Sequence, residues 1–246
     1  MARTVKDAAH MLSAMSGKSP WDKRTDDIPF ETIPDYATAC RSTDLTGMRI
    51  GVPRSSFTEV DPPVLAALER AIEILTDAGA TVVNNTNYKC MEEWKRMDKA
   101  EYWSICEADF KPAIELCCQN LIKNPNNIRT LDDIIEFTKK CPEEEYPARD
   151  IERWINVKRA IALPAEELQR RREKSLRCSK EDGIAGALEQ WDLDLLIAPS
   201  VFTASTTFAA RAGLPVISVP LGFYPNDAPV VYNERGDLIV TGPNIP

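Results

Sequence analysis

The stretch MRIGVPRSSFTEVDPPVLAALERAIEILTDAGATVVN, residues 48–84, carries the pattern that decides the fold. Its first apolar run, 48–52, is followed by Asp61 and a proline, the residue types that favour the N-cap and the first position of a helix. Apolar residues at helical spacing continue to Gly79, and a second apolar run occupies 80–83. The stretch therefore predicts a strand, a helix and a second strand that lies parallel to the first in one sheet.

Further apolar runs toward the C-terminus predict more strands. Leu193–Ala198 and Val216–Val219 are almost wholly apolar, which is typical of strands that are buried on both faces of a central sheet. Val230–Tyr232 and Leu238–Val240 are separated by five residues that include Gly236, and this spacing predicts a terminal hairpin. We therefore expect an α/β protein.

The rest of the chain is expected to be helix and loop. Residues 3–16 place apolar side chains on one helical stripe and predict an amphipathic helix, whereas 18–46 is polar, contains prolines and predicts a long ordered loop. Residues 91–190 are mostly helical in pattern and are interpreted as a helical insertion between strands. No convincing domain boundary is visible.

Composition excludes some classes of partner. The 246 residues are 43% hydrophobic and carry a net charge of −8, so a nucleic-acid backbone would be repelled on average. The basic run at 170–174 is preceded one turn earlier by Glu166 and Glu167, which favours a solvated helix face. No apolar stretch approaches the roughly 20 residues needed to cross a bilayer. We expect neither a nucleic-acid nor a membrane partner. Compartment stays open, with the cytoplasm slightly favoured, and oligomeric state is not indicated.

Seven cysteines and a single histidine give little support to a metal site. The cysteines show no C-x-x-C spacing, and their odd number argues against a complete disulfide framework. The adjacent carboxylates at 143–145 share no helical face and fit a solvated loop better than a metal site. The interpretation is scattered buried thiols and no metal.

Four segments, in order along the chain, match known motifs: ARTVKDAA at 2–9, GMRIGVP at 47–53, DLLIAPS at 194–200 and AGLPVISVPLG at 212–222. Each segment alone is only moderately specific, but together and in this order they resemble the amidase-signature family, in particular the central and C-terminal portion of fungal-type amidases. The resemblance covers essentially the whole chain and is weakest between residues 90 and 177.

The resemblance implies a mixed β-sheet flanked by helices and hydrolysis of a small-molecule carboxamide without a metal or organic cofactor. In that chemistry a neutral lysine takes a proton through one serine from a second, nucleophilic serine, and backbone N–H groups of a Gly-rich loop hold the oxyanion. The family carries this machinery upstream of the A-R-[ST]-V helix, which begins here at residue 2. We therefore expect a partial amidase domain over 1–246, incomplete at both ends, without the catalytic lysine and serines.

The expected pocket wall consists of five residues. Pro199 and Ser200 follow a predicted strand at the edge where α/β sheets form their ligand crevice. Gly213, Leu214 and Pro215 lead into another predicted strand. By resemblance these residues help to wall the acyl-binding pocket, although a turn that merely leaves a strand would use the same residues.

Two residues at the start of the first helix are candidates for support of the catalytic loop. Arg3 and Asp7 stand four apart, so they can pair with each other or brace the loop that would precede them. By resemblance they support the catalytic loop and take no part in bond making themselves.

Other potential nucleophiles and bases fit structural roles better. Ser55 and Ser56 lack a neighbouring glycine cluster and fit an ordinary loop, and His10 lies within the amphipathic stretch and fits a structural or surface residue. Ser218 fits a buried strand residue. Two alternatives to a truncated amidase stay open: a catalytically inactive binding or regulatory protein, and an unrelated α/β ligand-binding domain with chance motif matches.

Overall fold

The computed structural model describes residues 2–58, 60–200 and 204–245. The chain divides into two compact units, one formed by Met1–Tyr88 with Ile184–Pro246 and the other by Lys89–Gly183. The helices are α1 (Val5–Met15), α2 (Tyr36–Ala39), α3 (Pro62–Asp77), α4 (Met91–Arg96), α5 (Lys99–Gln119), α6 (Leu131–Lys140), α7 (Glu152–Ala160), α8 (Ala165–Ser179), α9 (Ile184–Trp191) and α10 (Ala204–Ala212). The strands are β1 (Arg49–Val52), β2 (Thr81–Asn84), β3 (Leu195–Leu196), β4 (Val231–Tyr232) and β5 (Ile239–Thr241).

The strand–helix–strand prediction for residues 48–84 is confirmed. Strands β1 and β2 pair in parallel, with Arg49 opposite Thr81 and Val52 opposite Asn84, and α3 is the crossover between them. Prolines occupy the first turn of α3, where the missing N–H groups cost nothing. Gly79 lies in the turn between α3 and β2 and has a φ of +99°, a conformation that glycine adopts without strain.

The central sheet is parallel and has the order β2-β1-β3. The predicted strand at Leu193–Ala198 is present but short, because only Leu195 and Leu196 pair with β1. Two further backbone hydrogen bonds of 2.9 Å extend the contact on either side, from the Asp194 N–H to the Arg49 carbonyl and from the Ile197 N–H to the Gly51 carbonyl. Ile50 and Val52 of β1 are almost fully buried, which places the core of this unit at the central strand. The α/β prediction is confirmed.

The predicted terminal hairpin is confirmed as well. Strand β4 pairs antiparallel with β5 in a separate two-stranded sheet. The Asn233 N–H donates to the Leu238 carbonyl at 2.8 Å, and Gly236 has a φ of +76° in the loop. Parallel and antiparallel pairs therefore both occur, in two sheets.

The prediction of a buried strand at Val216–Val219 is wrong. Val216, Ile217 and Val219 are 59%, 64% and 54% exposed, and Ser218, expected to be a buried strand residue, is exposed too. Among the described residues, nothing forms a backbone ladder with this extended segment. Apolar content marks a segment that can be buried in a sheet, but a strand also needs a neighbour to take up its N–H and C=O groups.

The predicted first helix is confirmed by α1, whose N-cap Thr4 accepts a hydrogen bond from the Asp7 N–H at 3.1 Å. The polar stretch expected to be loop contains two short helical segments, the 3-10 turn at Lys23–Asp27 and α2. Each begins after an aspartate whose side chain accepts from the backbone, a local signal that the loop interpretation overlooked.

The second unit is helical throughout. Its core consists of four buried residues, Leu131, Ile135, Ile151 and Val157, with Phe110, Trp154 and Ile155 packed against them. Helix α9 begins within the predicted 91–190 stretch and ends one residue beyond it, and it belongs to the first unit. On α8, Arg170 and Arg171 pair with Glu167 one turn earlier. The expected solvated face is only partly present, because Arg171, Arg172 and Lys174 are half-buried and bond to Ser104, Asp109 and Glu101 of α5.

The interpretation of the cysteines as scattered buried thiols is wrong in two respects. Cys90 and Cys178, 88 residues apart in sequence, form a disulfide with a Cα–Cα distance of 5.4 Å. Three of the free cysteines, Cys40, Cys106 and Cys117, are exposed. Sequence spacing could not pair residues so far apart, because only the fold determines which distant thiols meet.

Candidate functional site

The carboxyl ends of β1 and β2 lead into one buried polar cluster. In parallel sheets these ends lie at the same edge, which is where α/β proteins form ligand crevices. A 3-10 turn, Arg54–Ser56, follows β1, and Tyr88 comes four residues after β2 ends. Helix α10 contributes Ser205 from its first turn.

Ser56, Tyr88 and Ser205 form what we call the hydroxyl cluster. The Ser56 and Ser205 Oγ atoms are 3.1 Å apart, and the Tyr88 hydroxyl lies 3.0 Å from Ser205 Oγ. The Ser56 hydroxyl donates to the Pro53 carbonyl at 2.7 Å. Each hydroxyl has only one proton. Since the carbonyl can only accept, Ser205 must donate to Ser56 and Tyr88 must donate to Ser205.

Two members of the hydroxyl cluster are almost completely buried. Ser56 is 0% exposed and Tyr88 is 4% exposed, with the Tyr88 ring 5.3 Å from that of buried Phe208. Desolvation raises the pKa of Tyr88 to about 12, although the hydrogen bond with Ser205 acts in the opposite sense. Tyr88 therefore remains a neutral donor at physiological pH. Within the cluster, the chain of hydrogen bonds ends on a carbonyl and contains no base that could activate a serine.

The turn after β1 is held by polar contacts on both sides. The Ser55 N–H donates to Asn87 Oδ1 at 2.9 Å, and the Arg54 guanidinium bonds to Asn84 and to the Glu69 carboxylate. The Glu69 contact raises the pKa of Arg54 and lowers that of Glu69. The hydroxyls of Ser55 and Thr86 are buried and have no hydrogen-bond partner among the described residues. Ser55 and Ser56 thus lie in a well-anchored turn.

The structure places the five predicted pocket residues in two segments on either side of α10. Pro199 is buried and Ser200 exposed, both beyond the end of β3. Gly213 follows α10 at a φ of +68°, and the Leu214 N–H closes the helix on the Ala209 carbonyl at 2.9 Å. Pro215 is exposed. The nine residues of α10 give it an axial length of about 13 Å, and no described contact joins Ser200 to residues 213–215. A shared pocket wall stays a prediction.

Arg3 and Asp7 are both exposed, and among the described residues neither forms an ion pair. The predicted alternative in which Arg3 and Asp7 pair with each other is therefore not observed. His10 is also exposed.

Five lysines in the described part of the chain, Lys95, Lys111, Lys139, Lys158 and Lys174, have side-chain hydrogen bonds. Every hydrogen bond seen from a lysine side chain goes to a carboxylate, on Glu92, Glu101, Glu115, Asp132 or Glu136. These five lysines are therefore engaged in ion pairs with acidic side chains. No group of three or more His, Cys, Asp or Glu residues, among those described, forms a potential metal site.

Tyr88 and Ser205 were missed in the sequence, where neither lies in a recognised motif. Ser205 lies five residues beyond the DLLIAPS segment and could have been suspected from position alone. Tyr88 gave no such signal, because its role depends on a contact across 117 residues.

A separate shallow cleft of about 410 Å³ lies between the start of α3 and the segment around the hairpin. The Tyr224 hydroxyl donates to Asp61 at 2.7 Å there, and desolvation together with this contact raises the pKa of Tyr224 to about 12. Asp61 is the N-cap residue of α3 as predicted, but its side chain bonds to Tyr224 and makes no capping hydrogen bond.

No helix among the described residues has the length and apolar character needed to cross a membrane.

Comparison with known proteins identifies relatives along the whole chain. The family model described as Amidase matches residues 1–211. A protein named "Putative amidase" from Arthroderma benhamiae is 36% identical over 249 residues, covering 100% of this chain and 41% of its own length. A second protein named as an amidase, from Schizosaccharomyces pombe, is 26% identical over 264 residues, covering 93% of this chain and 44% of that protein.

Two solved structures of amidases are also similar to this chain. The native peptide amidase of Stenotrophomonas maltophilia superimposes with a TM-score of 0.68 at 27% identity, over 87% of this chain and 44% of that one. An amidase family protein from Bacillus anthracis gives a TM-score of 0.70 at 25% identity, over 91% and 41%. The chain thus spans less than half the length of each of these relatives. Motif matches by chance do not extend over 211 residues, and the chain belongs to the amidase family.

Proposed function

We propose that the intact protein hydrolyses carboxamide C–N bonds of a small-molecule substrate. The observation that carries the proposal is the Amidase family match over residues 1–211. The likeness to a peptide amidase, at a TM-score of 0.68, supports it. Because this chain spans only 41% of the relative from Arthroderma benhamiae, the activity is attributed to the intact protein and not to residues 1–246 alone.

The mechanism that fits is the Ser-Ser-Lys chemistry expected from the motifs, with the catalytic lysine and serines outside residues 1–246. Two features support that location: the lysines that bond among the described residues are paired with carboxylates, and the hydroxyl cluster ends on the Pro53 carbonyl. A serine nucleophile needs a base within hydrogen-bond reach, and neither arrangement provides one.

In this proposal residues 1–246 form a partial amidase domain. Pro199, Ser200 and residues 213–215 wall the acyl pocket, and Arg3 and Asp7 brace the catalytic loop. The helical unit is an insertion, since the chain leaves the sheet after β2 and returns to it at β3.

The test is an assay of residues 1–246 with a peptide amide and an aryl amide, together with a serine-directed acylating probe. We expect no turnover and no site-specific labelling. Labelling of Ser55, Ser56, Ser205 or Ser218 with accompanying turnover would overturn the assignment of catalysis to other residues.

A second candidate is a catalytically inactive binding or regulatory protein. The hydroxyl cluster also favours this candidate, because it contains no general base. The transcript upstream of Met1 separates the two candidates. An in-frame Gly/Ser-rich loop with a lysine supports the hydrolase, and a complete transcript without them supports the inactive protein.

A further inference from the structure

The two ends of the helical unit, Lys89–Gly183, meet at one point. Cys90 lies at its start and Cys178 near its end, and the disulfide between them closes a loop of 88 residues. The Cys90 N–H also donates to the Asp182 carbonyl at 3.1 Å. A covalent bond and a backbone hydrogen bond therefore join the same two ends.

Arg177 adds a third connection beside the disulfide. Its guanidinium donates to both oxygens of Glu93, at 2.9 and 2.7 Å, and also contacts Asp182. The two carboxylates raise the pKa of Arg177, so the charge is retained at every accessible pH. The disulfide itself is buried, since Cys90 is 3% exposed and Cys178, the residue after Arg177 in α8, is 1% exposed.

We propose that the Cys90–Cys178 disulfide is a redox-sensitive clamp that closes the base of the helical unit, with Arg177 restricting access to it. The disulfide reduces the conformational freedom of the unfolded segment far more than that of the folded unit. In the folded unit, the two ends of the segment are already together. A disulfide persists in an oxidising environment, so the bond also favours maturation of the protein in such a compartment.

The redox step balances with a dithiol as the reductant. A thiolate of the dithiol attacks the disulfide and forms a mixed disulfide, and its second thiol then displaces the remaining cysteine. The two cysteines gain two electrons and two protons, and the reagent leaves as a cyclic disulfide. Because both sulfurs are buried, attack requires the base of the unit to open first.

The first experiment counts thiols in protein prepared without reductant and then denatured. We expect five reactive thiols and one linked peptide pair, against seven thiols after reduction. Seven thiols in the unreduced protein, or a linkage between other cysteines, would overturn the clamp.

The second experiment follows backbone hydrogen exchange with and without dithiothreitol. Reduction should raise the exchange of core amides in α6 and α7 by a factor on the order of 30 to 1,000, while residues 48–84 change little. The Cys90→Ser/Cys178→Ser variant should show the same increase without the reagent. Cys118→Ser, which removes a free buried thiol of the same unit, is the matched control. Unchanged exchange on reduction, or an equal increase in the control, would contradict a specific clamp.

Arg177→Ala tests the protecting role separately. Its disulfide should be reduced several-fold faster by dithiothreitol than that of the parent chain. Equal reduction rates would show that Arg177 does not restrict access.

Discussion

At the scale of single residues, Ser205 is the link on which the hydroxyl cluster depends, because it contacts both Tyr88 and Ser56. Ser205→Ala would leave the buried Tyr88 hydroxyl without its acceptor. An unsatisfied buried polar group costs about 1–3 kcal/mol, and we expect that loss in the free energy of unfolding, measured by urea titration.

Tyr88→Phe should cost less, about 0.5–1.5 kcal/mol, since it removes the donor at the end of the chain and leaves Ser205 bonded to Ser56. Exposed Ser218→Ala is the control and should stay within about 0.5 kcal/mol. A larger loss for Tyr88→Phe than for Ser205→Ala would contradict the deduced direction of the hydrogen bonds.

The pKa of Tyr88 predicts a weakness toward alkali. The folded state keeps the phenol proton up to about pH 12, whereas the unfolded chain loses it near the ordinary tyrosine pKa of 10.0. Between these values the folded state binds more protons, so stability falls as the pH rises. The full loss is on the order of 2–3 kcal/mol, with about half of it reached by pH 11.

Denaturant midpoints at pH 9 and pH 11 would measure this effect. The decrease should be smaller in Tyr88→Phe than in the parent chain, and Tyr224, whose pKa is also raised, is present in both and cancels. Equal decreases in the two proteins would show that Tyr88 does not titrate with unfolding.

At the scale of elements, strand β1 depends on Gly51. A Cβ at this position would lie 2.5 Å from a methyl group of Leu193, 2.6 Å from one of Leu196 and 2.7 Å from Thr86 Oγ1. The missing side chain is what allows β3 and the segment after β2 to approach the central strand.

Gly51→Ala should therefore cost about 1–3 kcal/mol through overpacking, measured by thermal or urea unfolding. The matched control is Gly242→Ala, where the nearest atoms would lie 3.5–3.6 Å from the new Cβ, an ordinary contact. We expect that variant to be neutral or slightly stabilised. Similar losses at both positions would argue against the close approach at β1.

At the scale of the whole molecule, the described surface carries much exposed apolar side chain. Between residues 216 and 223, five apolar side chains are 37–73% exposed, and Met15 of α1 is 70% exposed. Extended apolar segments with unpaired backbone groups are sites of adventitious pairing between chains.

We therefore expect residues 1–246 in isolation to bind a hydrophobic dye and to scatter light increasingly with concentration. Ile217→Lys should reduce both signals, because it places a charge within the apolar segment. Ile122→Lys is the control, since Ile122 is 99% exposed but lies outside that segment. A monodisperse monomer without dye binding would show that the segment does not promote association.

Sequence was sufficient wherever the signal is local. Asp61, the prolines after it, the helical spacing and Gly79 lie within 37 consecutive residues, 48–84, and they predicted the β-α-β unit and its parallel pairing correctly. The terminal hairpin was predictable for the same reason, from two short apolar runs and the loop between them. The family, likewise, was evident from four short motifs in order along the chain.

Tertiary structure alone decided the contacts between distant residues. Tyr88 meets Ser205 across 117 residues and Cys90 meets Cys178 across 88, and no periodicity or spacing encodes such pairs. The apolar run at Val216–Val219 shows the converse error, since its composition predicted a strand that has no ladder partner among the described residues. Side-chain pattern reports which segments favour burial, whereas hydrogen-bond pairing and the meeting of distant side chains depend on where the rest of the fold places their partners.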